Sequence, residues 1–177
     1  MTVPTDLWHQ VRERADFACE YCGITESDAG GELTVDHIRP QAHGGTDEPE
    51  NLLYCCHRCN LYKADYWPTH SGDQHLWNPR HEAASGHLMQ LGDGTPHALT
   101  EVGALTLKRL RLNRQPLVAH RVRRQIHEEE RRLLGRYREL LALLEQLQRD
   151  YSVLLEEHRV LLEEQRTVLR LLLADRE

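Results

Sequence analysis

Four cysteines, arranged as two pairs, are the residues whose types and spacing point most directly to chemistry. Cys19 and Cys22 enclose two residues, and Cys56 and Cys59 repeat this spacing after an interval of 33 residues. Thiolates held in this way suit tetrahedral zinc, and four of them leave no open coordination position. The sequence therefore predicts a structural zinc site, against the alternative of four unrelated buried cysteines. The fifth, Cys55, is predicted to be a small core residue and not a ligand.

The long interval between the pairs indicates an inserted functional element. Residues 33–63 read LTVDHIRPQAHGGTDEPENLLYCCHRCNLYK. This stretch resembles the HNH endonuclease family in its Asp-His-Ile-x-Pro segment, its glycine-rich loop, its Asn-Leu pair and its Cys-x-x-Cys-Asn ending. The resemblance is close over residues 19–63 and weaker toward residue 114. It implies a ββα-metal domain, in which two strands pack on a helix around a catalytic metal, and hydrolysis of DNA phosphodiester bonds.

The resemblance also assigns catalytic roles to four residues. The family's first histidine falls on His37, its central asparagine on Asn51 and its last position on Asn60, which makes the sequence an HNN variant. His37 is then the general base, because a neutral imidazole can take a proton from water near neutral pH. Asn51 braces the loop that positions His37. Asp36 and Asn60 hold the catalytic metal, and their oxygen atoms favour Mg²⁺ or Mn²⁺.

One elementary constraint bears on this assignment. Neighbouring residues of a strand point to opposite faces, so Asp36 and His37 cannot both project toward one site from a flat strand.

DNA is the predicted partner, although the net charge is −6. The stretch from Val102 to His127 contains no acidic residue and is strongly basic, so it offers a contact for phosphates. The alternative is an ordinary solvated helix face, and for Lys63 a solvated surface position. The predicted DNA contacts are Arg39, Arg58, Lys63, Lys108, Arg109, Arg111 and Arg114.

The elements that must position these residues follow from periodicity and from turn residues. A helix is expected over residues 5–18 with Thr5 or Asp6 as its cap, strands over 32–38 and 51–55, and a helix over 56–67. The fold class is α+β. The predicted organisation is a nuclease core with its zinc knuckles over 1–68, a mixed extension packing on that core over 69–112, and a long amphipathic helix over 113–177.

The C-terminal helix carries an apolar residue at every seventh position, as a coiled-coil seam requires. The members of this row are Ile126, Leu133, Leu140, Leu147, Leu154, Leu161 and Val168. Glu130, His158 and Gln165 fall at core positions and suggest that the seam was selected for partner specificity. The helix is expected to form a homodimer or to bind a partner protein; the alternative is a hairpin that folds back near Asp150.

The composition of the chain indicates the cellular compartment in which we expect the protein. Charges interrupt the N-terminal segment where a secretory signal needs an apolar core, and no run reaches the length of a membrane span. We therefore expect a soluble protein of the reducing cytoplasm, with no membrane partner. Two other functions compete with the nuclease: a zinc-knuckle module that binds nucleic acid without cleaving it, and an assembly protein that acts through its long helix.

Overall fold

A computed structural model describes residues 3–174 of the chain, and side-chain environments for residues 3–171. The ends of the predicted segments 1–68 and 113–177 therefore lie partly outside the described residues. The elements are α1 (Thr5–Arg14), α2 (Glu26–Ala29), β1 (Thr34–His37), β2 (Leu52–Cys55), α3 (His57–Lys63), α4 (Ala84–His87), β3 (Leu88–Gln90), β4 (Pro96–Ala98), α5 (Glu101–Arg109) and α6 (Gln115–Ala174). The chain forms two compact units, one ending at Arg124 and the other beginning at Gln125.

The first unit is built on an antiparallel hairpin followed by a helix. Strand β1 pairs with β2 in a register that places Thr34 opposite Cys55 and His37 opposite Leu52. All four residues of β2 are buried, which explains its continuous apolar sequence. Helix α3 begins two residues after β2. The predicted order of strand, loop, strand and helix is therefore confirmed, and so is the α+β class with a long C-terminal helix.

Helix α1 is shorter than predicted. It ends at Arg14, because Asp16 and Phe17 adopt positive φ angles of 50° and 56° that a right-handed helix does not allow. The predicted cap at Thr5 or Asp6 is wrong, since Pro4 occupies the N-cap position and makes no side-chain hydrogen bond there. Proline is compatible with this site because the first backbone amides of a helix have no intrahelical partner.

The segment between α3 and α6 shares the hydrophobic core of the hairpin. Leu76, Trp77, Leu110 and Leu112 of this segment, together with Leu117 in the first turn of α6, are buried in the same cluster as the residues of β2. The backbone amide of Trp77 also donates a hydrogen bond of 2.8 Å to the hydroxyl of Thr106. A second hairpin, β3 with β4, lies within this segment.

Helix α6 runs without interruption over 60 residues. At 1.5 Å per residue it is about 90 Å long. The alternative of a hairpin near Asp150 is wrong, because residues 115–174 form a single helix in which Asp150 is an ordinary internal residue. None of the helices in the described part of the chain combines the length and the apolar character that a membrane crossing requires.

Candidate metal centres and nuclease site

The four paired cysteines meet in one buried cluster. The sulfur atoms of Cys19, Cys22, Cys56 and Cys59 all lie within 4.8 Å of one another, and those of Cys22 and Cys56 are 3.7 Å apart. Tetrahedral zinc with Zn–S bonds of about 2.3 Å separates its sulfurs by about 3.8 Å. The cluster therefore has the dimensions and the donor atoms of a zinc site.

Local backbone geometry favours the thiolate form of Cys56, the first cysteine of the second pair. Cys56 caps the N-terminus of α3, and its sulfur accepts a hydrogen bond from the backbone amide of Cys59 at 3.4 Å. Hydrogen bonds with Cys19, Cys22 and Cys59 lower the pKa of Cys56 below its ordinary value. A helix N-terminus stabilises negative charge for the same electrostatic reason. The second knuckle is thus formed by the turn from β2 into α3.

Cys55 lies outside this cluster, as predicted. It is fully buried, and burial raises the pKa of its thiol. Its backbone carbonyl accepts a hydrogen bond of 3.0 Å from Thr34 across the hairpin. Cys55 is therefore a core residue of β2.

Arg114 faces the cysteine cluster. Its guanidinium Nη2 lies 4.0 Å from the sulfur of Cys22 and 3.9 Å from that of Cys59. Four thiolates with one zinc ion carry two net negative charges, so a guanidinium at this distance is electrostatically favourable. Arg114, which was predicted to contact DNA, lies beside the sulfurs and makes a cation–π contact with Tyr62.

Helix α3 packs against the face of β1 that carries Thr34 and Asp36. Residues two apart on a strand share a face, and residues three apart on a helix are neighbours. The carboxamide nitrogen of Asn60 accordingly lies 3.4 Å from the hydroxyl of Thr34, and Nζ of Lys63 lies 2.9 Å from Oδ2 of Asp36. Asp36 and Asn60 are thus brought to the same interface between hairpin and helix.

The environment of Asp36 suits a cation ligand. Its Oδ2 is buried and has no hydrogen-bond partner among the described residues, because the nearby ammonium of Lys63 is not aligned for a hydrogen bond. Asn60 directs its nitrogen toward Thr34, which leaves Oδ1 as its ligand atom. A carboxylate oxygen whose neighbour is the Lys63 ammonium, and a carboxamide oxygen at the same interface, are donor types that Mg²⁺ or Mn²⁺ accepts.

Lys63 is not the surface residue that the sequence suggested. It is 1% exposed, and its ammonium group forms an ion pair with Asp36. A lysine in this position neutralises the buried carboxylate and is turned away from solvent. Lys63 is therefore not placed for a contact with the DNA backbone.

His37 ends strand β1 and contacts an aspartate that sequence reasoning did not select. Its Nε2 lies 2.6 Å from Oδ1 of Asp47, and Gln41 donates a second hydrogen bond of 2.9 Å to the same oxygen. The hydrogen bond with His37 lowers the pKa of Asp47. Because an ionised carboxylate only accepts hydrogen bonds, the proton of this contact belongs to Nε2 and the lone pair of the neutral ring to Nδ1.

Asn51 closes the loop between the two strands. Its Oδ1 accepts a hydrogen bond of 2.8 Å from the backbone amide of Arg39, and its Nδ2 donates to the carbonyls of Thr46 and Arg39 at 2.8 and 3.1 Å. All these bonds are to the backbone, so Asn51 fixes the path of the loop on both sides of its glycines. A side chain at Gly45 would overlap the carbonyl of Arg39, which requires glycine there.

The other predicted DNA contacts divide into two groups. Arg39, Arg58, Lys108 and Arg111 are exposed. Arg109 instead stacks on Tyr66, with its guanidinium carbon 4.4 Å from the ring centroid, and donates to the carbonyl of Lys63 at 3.2 Å. The basic stretch is therefore partly used to hold the first unit together.

Comparison with known proteins identifies part of the chain. Residues 19–65 match the HNH endonuclease family. A CRISPR-associated endonuclease Cas9 of Corynebacterium diphtheriae is 42% identical over 62 residues, which are 34% of this chain and 6% of that protein. The type II restriction enzyme KpnI of Klebsiella pneumoniae is 34% identical over 86 residues, which are 40% of this chain and 39% of that enzyme. No solved structure is significantly similar to the chain.

Proposed function

We propose that this chain, which carries an HNH endonuclease domain at residues 19–65, is a metal-dependent endonuclease that hydrolyses phosphodiester bonds of DNA. The observation that carries the proposal is that Asp36, His37, Asn51 and Asn60 all lie on the hairpin, loop and helix within this segment. The names of both relatives describe nucleases, and this supports the same reaction class. The activity of the whole chain is our proposal, since the matches cover small parts of both relatives.

The proposed general base is Nδ1 of His37. Asp47 accepts the proton-bearing Nε2, so the ring presents its free lone pair on the other nitrogen. Nδ1 takes a proton from a water molecule while the oxygen of that water forms a bond to phosphorus. The bond between phosphorus and the 3′ oxygen then breaks. General-base catalysis of this kind contributes about 10²–10⁴ to the rate.

Asp36 and Asn60 are the proposed ligands of a catalytic divalent cation. When bound, Mg²⁺ or Mn²⁺ would neutralise negative charge on the scissile phosphate and on the departing oxygen. Lys63 holds the Asp36 carboxylate at the face of α3 and compensates its charge. The four cysteines are the proposed ligands of a separate zinc ion that joins the N-terminal knuckle to α3 and therefore has a structural role.

Duplex DNA is the proposed substrate and partner. The exposed Arg39, Arg58, Lys108 and Arg111 are the proposed phosphate contacts, and such contacts position a protein on DNA without reading its sequence. Arg39 lies two residues after His37, and its Nε donates a hydrogen bond of 2.6 Å to the carbonyl of His43. The long helix is the proposed association segment of the protein.

A plasmid assay tests the proposal. Purified protein is incubated with supercoiled DNA in Mg²⁺ or Mn²⁺, with EDTA as the metal-free control, beside the variants His37→Ala and His43→Ala. We expect nicked or linear DNA from the wild type and from His43→Ala, and intact plasmid with His37→Ala or EDTA. Cleavage by His37→Ala at the rate of the wild type would refute the assignment of the base.

A further inference from the structure

Helix α6 exposes an apolar surface far larger than a monomeric protein tolerates. Ile126, Leu133, Leu140, Leu147, Leu154, Leu161 and Val168 are between 43% and 64% exposed. A second row with the same spacing is exposed beside it and consists of Leu134, Leu141, Leu155, Leu162 and Leu169. Contiguous apolar patches beyond a few hundred Å² mark interaction sites. The helix therefore needs a partner along most of its length.

Between these two leucine rows lies a mixed central row. Its described members are Glu130, Tyr137, Leu144, Tyr151, His158 and Gln165. Each member of this row follows a member of the first apolar row by four residues, which is about 50° further around a helix of 3.5 residues per turn. The second apolar row lies about 100° from the first, so the mixed row runs along the middle of the apolar stripe. Polar residues at such positions favour an alignment in which each meets its own equivalent.

The two margins of the stripe carry opposite charges. The margin beside the first leucine row, here called the acidic margin, has four acids and one base: Glu129, Arg136, Asp150, Glu157 and Glu164. The margin beside the second leucine row, the basic margin, has four bases and one acid: Arg131, Arg138, Glu145, Arg159 and Arg166. The helix therefore presents three net negative charges on one side of its stripe and three net positive charges on the other.

The opposite charges of the two margins favour a second copy of the helix as the partner and a parallel orientation of the two copies. Two parallel copies related by a two-fold axis along the helix place the acidic margin of each opposite the basic margin of the other. The facing pairs of opposite charge are then Glu129 with Arg131, Glu157 with Arg159 and Glu164 with Arg166. They outnumber the one like-charged pair, Arg136 with Arg138. Antiparallel copies instead bring like margins together, which is unfavourable.

We propose that α6 is a parallel, in-register, two-stranded coiled coil formed with a second copy of this chain. Self-complementary margins and two exposed rows of apolar residues on one continuous helix carry this inference, and it goes beyond the nuclease assignment. One consequence rests on the proposed function: a dimer delivers two HNH domains to one DNA molecule, one for each strand. The dimer itself does not depend on cleavage.

Light scattering on the full-length protein tests the number of copies. We expect a mass of twice 20.6 kDa. A monomer, or an assembly of three or more chains, would overturn the proposal. The measurement needs no DNA, so it distinguishes failure of this inference from failure of the nuclease assignment.

Engineered cysteines test the direction. In the parallel register Gln165→Cys lies opposite itself and forms an interchain disulfide under mild oxidation, whereas Arg149→Cys, on the opposite face of the helix, does not. In an antiparallel pair, residue 165 of one chain would instead lie near residue 130 of the other. A disulfide that forms only when Gln165→Cys chains are mixed with Glu130→Cys chains would therefore overturn the proposal.

Exchanging charges tests whether the acidic margin of one copy faces the basic margin of the other. Arg131→Glu with Arg166→Glu makes four facing pairs repulsive, and we expect the dissociation constant of the dimer to rise about tenfold or more. Adding Glu129→Arg and Glu164→Arg restores opposite charges and should restore the dimer. A dimer that is indifferent to the first pair of changes would contradict the arrangement of the margins.

Discussion

The contact with Asp47 determines which ring nitrogen of His37 carries the proton. A histidine alone can carry its proton on either nitrogen, and the sequence of a DHI motif does not say which. The 2.6 Å contact assigns the proton to Nε2 and leaves Nδ1 as the base, and Gln41 donates a second hydrogen bond to the same carboxylate oxygen. Asp47 is therefore a positioning residue in our proposal: it acts through His37 and need not touch DNA.

Replacing Asp47 tests this role. Asp47→Asn keeps the size of the side chain and removes its charge, so the preferred tautomer and orientation of His37 are lost. We expect kcat to fall by about 10–100-fold, a part of the general-base contribution, with little change in KM. Nitrogen NMR of the His37 ring should report the altered tautomer.

Glu48→Gln is the matched control for this variant, because it removes a neighbouring exposed carboxylate that does not contact His37. Equal kcat values for Asp47→Asn and the wild type would contradict a positioning role of Asp47.

Sequence reasoning found some of these residues and missed others for a physical reason. His37 and Asn60 could be selected because each stands in a short motif. Asp47 could not, since an acid in a glycine-containing loop follows no periodicity; its place two residues after Gly45 was the available signal. Lys63 was predicted at the surface because its partner, Asp36, lies 27 positions earlier in the sequence.

At the scale of elements, the loop between β1 and β2 depends on one close approach. Gly45 packs against the carbonyl of Arg39 and the carboxamide of Asn51, and a Cβ atom there would overlap both. The same loop contains Asp47, which contacts His37, and Gln41, which donates to Asp47. Its backbone path and the orientation of the base are therefore linked.

Gly45→Ala should distort this loop. We expect a loss of about 1–3 kcal/mol in the free energy of unfolding, the ordinary cost of overpacking, together with reduced cleavage. Chemical denaturation of the zinc-loaded protein measures the first effect. Gly31→Ala is the control, since a methyl group there meets open space. Equal stability of the two variants would refute the packing constraint.

The cysteine cluster depends on the segment just before α6. Arg114 approaches two of the four sulfurs, so the charge of a zinc-thiolate centre is compensated from an element distant in sequence. Changes in such neighbouring groups alter metal affinity by about 10–100-fold in other metal sites.

Arg114→Met should therefore release zinc faster. We expect about a tenfold increase in the rate of transfer to a chromophoric chelator, because the uncompensated thiolates are more easily protonated. Lys108→Met removes an exposed charge of the same sign and serves as the control. Identical release rates would show that Arg114 has no electrostatic effect on the cluster.

The elements themselves were largely predictable. Alternation and Pro40 indicated β1, a continuous apolar run indicated β2, and two Cys-x-x-Cys pairs indicated the cluster that the fold assembles. The end of α1 was not predictable from propensity, because Asp16 and Phe17 adopt positive φ angles where the chain turns toward the first knuckle.

At the scale of the whole molecule, a compact first unit and a long exposed helix serve different purposes. The absence of proline from residues 121–177 and their single glycine indicated a helix, and α6 runs without a break over Gln115–Ala174. The number of copies in the coiled coil could not be predicted in this way, because an apolar stripe does not identify what covers it. The charged margins are the basis on which we propose a second copy of the chain as the partner.

In the proposed reaction His37 removes a proton from water during a metal-dependent cleavage of DNA. Single-turnover cleavage of an end-labelled duplex, with enzyme in excess and saturating Mg²⁺ or Mn²⁺, compares the wild type with His37→Ala most directly. We predict a fall of about 10²–10⁴-fold in the rate with unchanged DNA binding and unchanged zinc content. Equal cleavage rates for the wild type and His37→Ala would contradict the role of His37 as the general base.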